Sequence, residues 1–250
     1  MTQAADQPRP ASRVLALDLA RTAALACMAV FHFTFDLQLF GYLPGGTTTS
    51  GGWAIFARAI AGSFLFLAGV SLALAHGRGI RWRPALRRLA RIAGAAAAIT
   101  IATRMAIPDS FIFFGILHSI AFASLAGLAF VRLPPAVPLL AALAVFLAPR
   151  WLFLPAFDAP WLQWTGLGTL LPRTVDFVPV FPWFAPVLLG IAFGNALARR
   201  GVWARLAAWP ARPSRPLALL AWPGQHSLAV YLVHQPVLIA LVWTATQLLR

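Results

Sequence analysis

Apolar runs recur along this chain, separated by short segments rich in Arg, Pro, Gly or Trp. Crossing a hydrocarbon core takes about 20 apolar residues in helical form. Runs of that kind predict spans at 14–35, 53–75, 90–107, 111–131, 136–149, 179–198 and 224–248, the fifth being short and Pro-flanked. The expected architecture is an all-α, polytopic membrane helix bundle of about seven transmembrane helices. Residues 1–12 are polar and Pro-containing and read as a disordered cytoplasmic tail, leaving 13–250 as a single transmembrane domain. A cleaved signal peptide fits residues 9–30 poorly, because Asp18 and Arg21 interrupt the stretch and the apolar run continues to Phe35.

The polar segments set an orientation. Arg9, Arg13, Arg78, Arg81, Arg83, Arg87, Arg88, Arg91, Arg132, Arg199, Arg200, Arg205, Arg212 and Arg215 fall on one side of the predicted spans, 14 of the 20 arginines. Arginine excess marks the cytoplasmic side, so the N-terminus is expected there and the C-terminus outside. Such a chain is expected to cross a membrane several times.

Composition narrows the classes. With 60% hydrophobic and 10% charged residues the chain does not read as a soluble domain. The net charge of +14 raises the question of nucleic acid, but the arginines sit in the loops where orientation explains them, and no nucleic-acid module is visible. One cysteine, Cys27, excludes a disulfide framework. The lipid bilayer is the one certain partner; self-association is left open. Gly190-x-x-x-Gly194 in the sixth span reads as a helix-packing motif.

Ionisable residues inside apolar helices are costly unless they face a protein interior or a wet cavity, so they are the candidates for chemistry. At about 1.5 Å per residue, His32 lies about 28 Å from Arg13 along the first span, and Asp36 one turn further. By the same rise His118 is roughly 10 Å deep from the outer face and His234 is near mid-bilayer. Arg58, Arg104 and Asp176 belong to the same outer half. His32 and Asp36, spaced i, i+4, share a face, as a general base and its orienting carboxylate would. The competing reading is an interfacial pair reaching headgroups. For His118 it is a neutral core histidine, for Arg58 and Arg104 ion pairs with Asp36, Asp109 or Asp176, and for Asp18 and Arg21 an ion pair near the inner face. The last span carries His226-Ser227 and Tyr231-x-x-His234-Gln235-Pro236, where Pro236 predicts a kink and a freed carbonyl. No two histidines share a helix at a ligand spacing, so no metal is expected.

Several of these runs resemble a known family. Arg13-x4-Asp18-x2-Arg21-x6-Met28-x3-His32-x3-Asp36, then Gly52-Trp53 and Phe64-Leu-Phe-Leu-Ala-Gly69-Val-Ser71, resemble the start of the heparan-alpha-glucosaminide N-acetyltransferase catalytic-domain family. Gly115-Ile-Leu-His118, Asp176-Phe-Val-Pro-Val-Phe-Pro-Trp183-Phe184, Leu189-Gly190 and His226-Ser-Leu-x2-Tyr231-Leu-x-His234-Gln235-Pro236 look like its bacterial branch. The resemblance implies a multispan transferase that takes an acetyl group from cytoplasmic acetyl-CoA and delivers it to an amine or hydroxyl of a sugar or glycan acceptor on the far side. It also implies a histidine in the segment after the first span, but Gly45–Trp53 contains none. The base role then falls to His32 or His118, with Asp36 as orienter. Arg58, Arg104, Asp176, Trp183, His234 and Gln235 would line the acceptor side, and Asp18, Arg21 and the Arg78–Arg91 cluster would suit the CoA end. Two other classes compete: a proton-coupled transporter or flippase of an anionic solute, using the same groups as a relay, and a non-enzymatic membrane scaffold whose polar groups pair off locally.

Overall fold

The computed structural model describes residues 14–209 and 213–249; the tail 1–12 expected to be disordered lies outside them, as do Arg13 and Arg212. The helices are α1 (Leu15–Leu39), α2 (Gly51–His76), α3 (Trp82–Ala106), α4 (Ile116–Ala126), α5 (Ala136–Leu147), α6 (Val180–Arg199), α7 (Val202–Ala208), α8 (Arg215–Gln225) and α9 (Ser227–Leu248). Among the described residues there is no β-strand beyond an isolated parallel bridge between Phe114 and Phe177.

Among the described residues, five helices, α1, α2, α3, α6 and α9, are long and apolar enough to cross a membrane. The fourth expected span is shorter than the sequence suggests, and the fifth is short as expected. Ile116–Ala126 has 11 residues and Ala136–Leu147 has 12, about 16–18 Å of helix, roughly half a hydrocarbon core. Each gains one 3-10 turn at its end, Gly127–Ala129 and Ala148–Arg150. Residues 111–115 are spent on a non-helical approach, and the Pro134-Pro135 and Pro149 positions bound the fifth helix. The last expected span begins inside a separate helix: α8 ends at Gln225 and α9 starts at Ser227, with the break at His226. α9 is helical on both sides of Pro236, ten residues beyond that break.

α6 is the central helix, packed between α2 and α5. Small residues make this approach close: a Cβ on Gly69 would lie 2.1 Å from the Val187 carbonyl oxygen, and one on Gly190 2.1 Å from that of Phe66. Lipid supplies no hydrophobic drive between helices, so such backbone contact is what dispersion needs. α9 is the opposite case, with Val233, Leu241, Trp243 and Leu248 exposed and only Val242 and Thr246 buried; its outer face suits lipid.

α1 touches α2 on one side and α8 and α9 on the other. It runs parallel to the α8–α9 pair, as three contacts show: Gly224 N–H to Thr22 Oγ1 at 2.9 Å, Gln235 Nε2 to Asp36 Oδ1 at 2.7 Å, and Tyr42 O–H to Thr246 Oγ1 at 3.0 Å. The α2–α3, α4–α5 and α6–α7 connections gather at one end, tied by Asn195 Nδ2 to Leu133 O and Trp203 Nε1 to Gly194 O. Arg78, Arg81, Arg132 and Arg200 occupy these connections, and Arg199 ends α6.

Candidate functional site

Two parallel helices build a polar cluster in an apolar setting. His32 and Asp36 on α1 meet His234 and Gln235 on α9. The two imidazole rings are edge-to-face with centroids 4.8 Å apart. Asp36 is fully buried and takes one hydrogen bond, from Gln235 Nε2 to its Oδ1. His234 Nδ1 contacts the Tyr231 carbonyl oxygen at 2.5 Å, a geometry that makes Nδ1–H the donor and leaves Nε2 as the acceptor tautomer. Four buried polar atoms of this cluster have no hydrogen-bond partner among the described residues: His32 Nδ1, Asp36 Oδ2, His234 Nε2 and Gln235 Oε1. Most buried polar groups are satisfied, so four such atoms on four adjacent side chains single this cluster out as the candidate site. The i, i+4 spacing suggests Asp36 as the orienter of His32; in the fold the carboxylate instead turns to Gln235, and His32 turns to His234.

His118 lies in a different environment. Thr100 Oγ1 donates to the Ile112 carbonyl at 2.8 Å, which leaves it free to accept from His118 Nε2 at 3.1 Å, while His118 Nδ1 accepts from Gly115 N–H at 3.3 Å. Both ring nitrogens are thereby engaged at the N-terminus of α4. Asp176 Oδ2 accepts from Ile116 N–H at 3.0 Å on the same terminus, where a carboxylate complements the helix dipole. Burial pushes the Asp176 carboxyl up, and the Ile116 hydrogen bond opposes it. Gly115 permits this contact, since a Cβ there would sit 2.2 Å from Asp176 Oδ2.

At the arginine-rich end, Arg21 Nη1 donates to Asp18 Oδ1 at 2.8 Å and Nη2 to Ser71 Oγ at 2.6 Å. Arg21 also lines a cavity of about 560 Å³, with Arg88 and Arg91 of α3 and His226 and Ser227 at the α8–α9 break. Phe64, Ile116, Leu117, Ile120 and Tyr231 line its apolar part. Tyr231 lines this cavity, and its ring centroid lies 5.5 Å from that of His234. Tyr231 is one of two tyrosines in the chain, three residues from His234 and hence on its face; that spacing could have singled it out. Thr100 and Ser71 give no such signal.

The remaining expected site residues do not join the cluster. Arg58 is exposed on α2, and Arg104 is exposed and lies over the Phe111 ring at 4.6 Å. Trp183 packs against the core around α6. Among the described residues no three His, Cys, Asp or Glu side chains converge where a metal ion could be held.

The family profile described as "Heparan-alpha-glucosaminide N-acetyltransferase, catalytic" matches residues 13–236. Comparison with curated proteins and with solved structures gives no match. A match over that length places the chain in the family: it belongs to the heparan-alpha-glucosaminide N-acetyltransferase catalytic-domain family, a membership that carries a membrane acetyltransferase-like function.

Proposed function

We propose that this family member is an integral-membrane acyltransferase of a bacterial inner membrane. It takes acyl-CoA from the cytoplasm at the arginine-lined cavity and passes the acyl group to an amine or hydroxyl of a sugar or glycan acceptor on the other side. The observation that carries this reading is the cavity of about 560 Å³ lined by Arg21, Arg88 and Arg91 and by Tyr231, whose ring lies 5.5 Å from that of His234 in the histidine pair. Guanidinium groups suit the phosphates of CoA, and the apolar walls suit its pantetheine arm and acyl chain.

On this reading the acceptor nitrogen or oxygen attacks the thioester carbonyl carbon while an imidazole takes its proton. The new C–N or C–O bond forms, the C–S bond breaks, and the CoA thiolate leaves to be protonated. His32 and His234 are the bases of choice, because each has a ring nitrogen without a partner. Asp36, held by Gln235, balances the imidazolium that results. His118 and Asp176 shape the first turn of α4, which lines the cavity. Arg58 and Arg104, exposed as they are, serve headgroup contact rather than the reacting atoms.

A proton-coupled transporter or flippase of an anionic solute is the second reading, favoured by the same four orphaned atoms, which suit a proton relay equally. Those atoms and the cavity count against a scaffold. The test is saturable binding of radiolabelled acetyl-CoA to the protein in lipid nanodiscs, with Arg21→Gln/Arg88→Gln binding at least tenfold more weakly at low salt. Absence of saturable binding to the wild type removes the acyltransferase reading.

A further inference from the structure

We infer that Tyr231 is the partition between the acyl-donor cavity and the histidine pair, and that its ring keeps water on the histidine side from the thioester until an acceptor is in place. The partition is inferred from the contacts of Tyr231; its consequence for the thioester rests on the acyltransferase reading above. Three observations converge on this one side chain. Tyr231 lines the cavity of about 560 Å³ and also the small void bounded by His118 and Asp176. It packs against all three apolar clusters of the core: one around Leu65 and Leu188, one around Leu25, Met28 and Ile60, and one around Ala95, Ala96 and Leu117. Its backbone carbonyl and its ring both contact His234, at 2.5 Å to Nδ1 and 5.5 Å between ring centroids.

A side chain so placed closes a route with its bulk. Phe64 of α2 and Leu117 of α4 wall the cavity beside it, and both belong to or pack against the same clusters, so the wall around the ring is apolar. The hydrolysis that the partition suppresses is simple: water adds to the acyl carbonyl, the C–S bond breaks, and a free carboxylic acid and the CoA thiol result. An imidazole with an unengaged nitrogen promotes that reaction as readily as transfer to an acceptor, so an enzyme of this layout needs a wall between base and thioester when no acceptor is bound.

The experiment reads the wall directly. In a Cys27→Ser background, His234→Cys is reacted with a charged, membrane-impermeant thiol reagent in sealed vesicles, applied to the arginine side alone. With Tyr231 present labelling is slow; Tyr231→Ala raises its rate at least tenfold, and Tyr231→Phe, which keeps the ring, leaves it slow. Tyr231→Leu provides an intermediate wall if the alanine variant does not fold. In the chain with His234 intact, Tyr231→Ala raises acceptor-independent acetyl-CoA hydrolysis relative to transfer at least tenfold, and Tyr231→Phe restores the ratio. Equal labelling with Tyr231 and with Tyr231→Ala or Tyr231→Leu overturns the partition. If the labelling contrast holds but no variant cleaves acyl-CoA, the partition stands and the acyltransferase reading falls.

Discussion

Replacing Gly224 by alanine tests the register of α1 against α8, on which both ends of the site depend. A Cβ at this position would lie 1.8 Å from the Asp18 carbonyl oxygen, 2.7 Å from its carbon and 2.9 Å from Thr22 Oγ1. Carbon and oxygen in comfortable contact stand about 3.3 Å apart, so the end of α8 must retreat by roughly 1.5 Å. That movement breaks the Gly224 N–H to Thr22 Oγ1 bond, now 2.9 Å, at a cost of about 1 kcal/mol. Overpacking of helices that cannot part freely adds about 1–3 kcal/mol, for a total loss of about 2–4 kcal/mol. Gly94 in α3 is the internal control: nothing lies within 4 Å of its missing Cβ, so alanine there stabilises by up to about 1 kcal/mol through helix propensity. Reversible unfolding in mixed micelles, followed by helical circular dichroism, measures both. Because Gly224 also lines the cavity, acetyl-CoA binding should weaken in the same variant. A Gly224→Ala protein within about 0.5 kcal/mol of wild type, a change typical of an unconstrained surface site, would refute the close approach.

Other consequences follow from single contacts. Gln235→Leu leaves the buried Asp36 carboxylate without its donor, an expected loss of about 1–3 kcal/mol; in a double-mutant cycle with Asp36→Leu the coupling should exceed about 0.5 kcal/mol, as for groups in contact. Thr100→Val removes the partner of His118 Nε2 and the hydroxyl that holds the Ile112 carbonyl, costing about 1–3 kcal/mol in the same unfolding assay. In the α5–α6 loop, the Thr169 hydroxyl first and the Leu170 N–H second hold the Asp158 carboxyl below its usual range. A carboxyl depressed in the folded state stabilises its loop above the unfolded value of about 3.9 and ceases to do so as pH falls through the lower folded value. Limited proteolysis near residues 155–171 should therefore accelerate only under acid conditions, and Asp158→Asn should abolish that acid-dependent change while starting from a less protected loop.

Length and hydropathy are one-dimensional properties, which is why α1, α2, α3, α6 and α9 are readable from the chain and why the arginines mark one end. Helix length in a bundle is another matter: 111–131 looks like a span, yet residues 111–115 leave the helix to meet Phe177 across the α5–α6 loop. α8 is hidden because Arg215, Pro216 and Pro223 dilute its apolar face, though it packs closely on α1. The site shows the same division. His32, Asp36, His234 and Gln235 stand out as polar residues in apolar helices, but their pairing follows from the parallel approach of α1 and α9, which joins Asp36 to a residue 199 positions away. Likewise, His118 stands out in the chain, but its contacts with Thr100 on α3 and with the Gly115 N–H depend on how α4 is packed.

If acyl-CoA held at the arginine end is cleaved with the help of the histidine pair, the protein in nanodiscs transfers label from [14C]acetyl-CoA to a member of an amino-sugar panel. The wild type should turn over, His32→Ala/His234→Ala should lower transfer at least a hundredfold, in line with the loss of a general base, and acetyl-CoA binding in that variant should stay within about threefold of wild type, a difference of under about 1 kcal/mol. Wild-type turnover that persists in the double variant, or binding without any transfer or thioester cleavage across the panel, would contradict that reading.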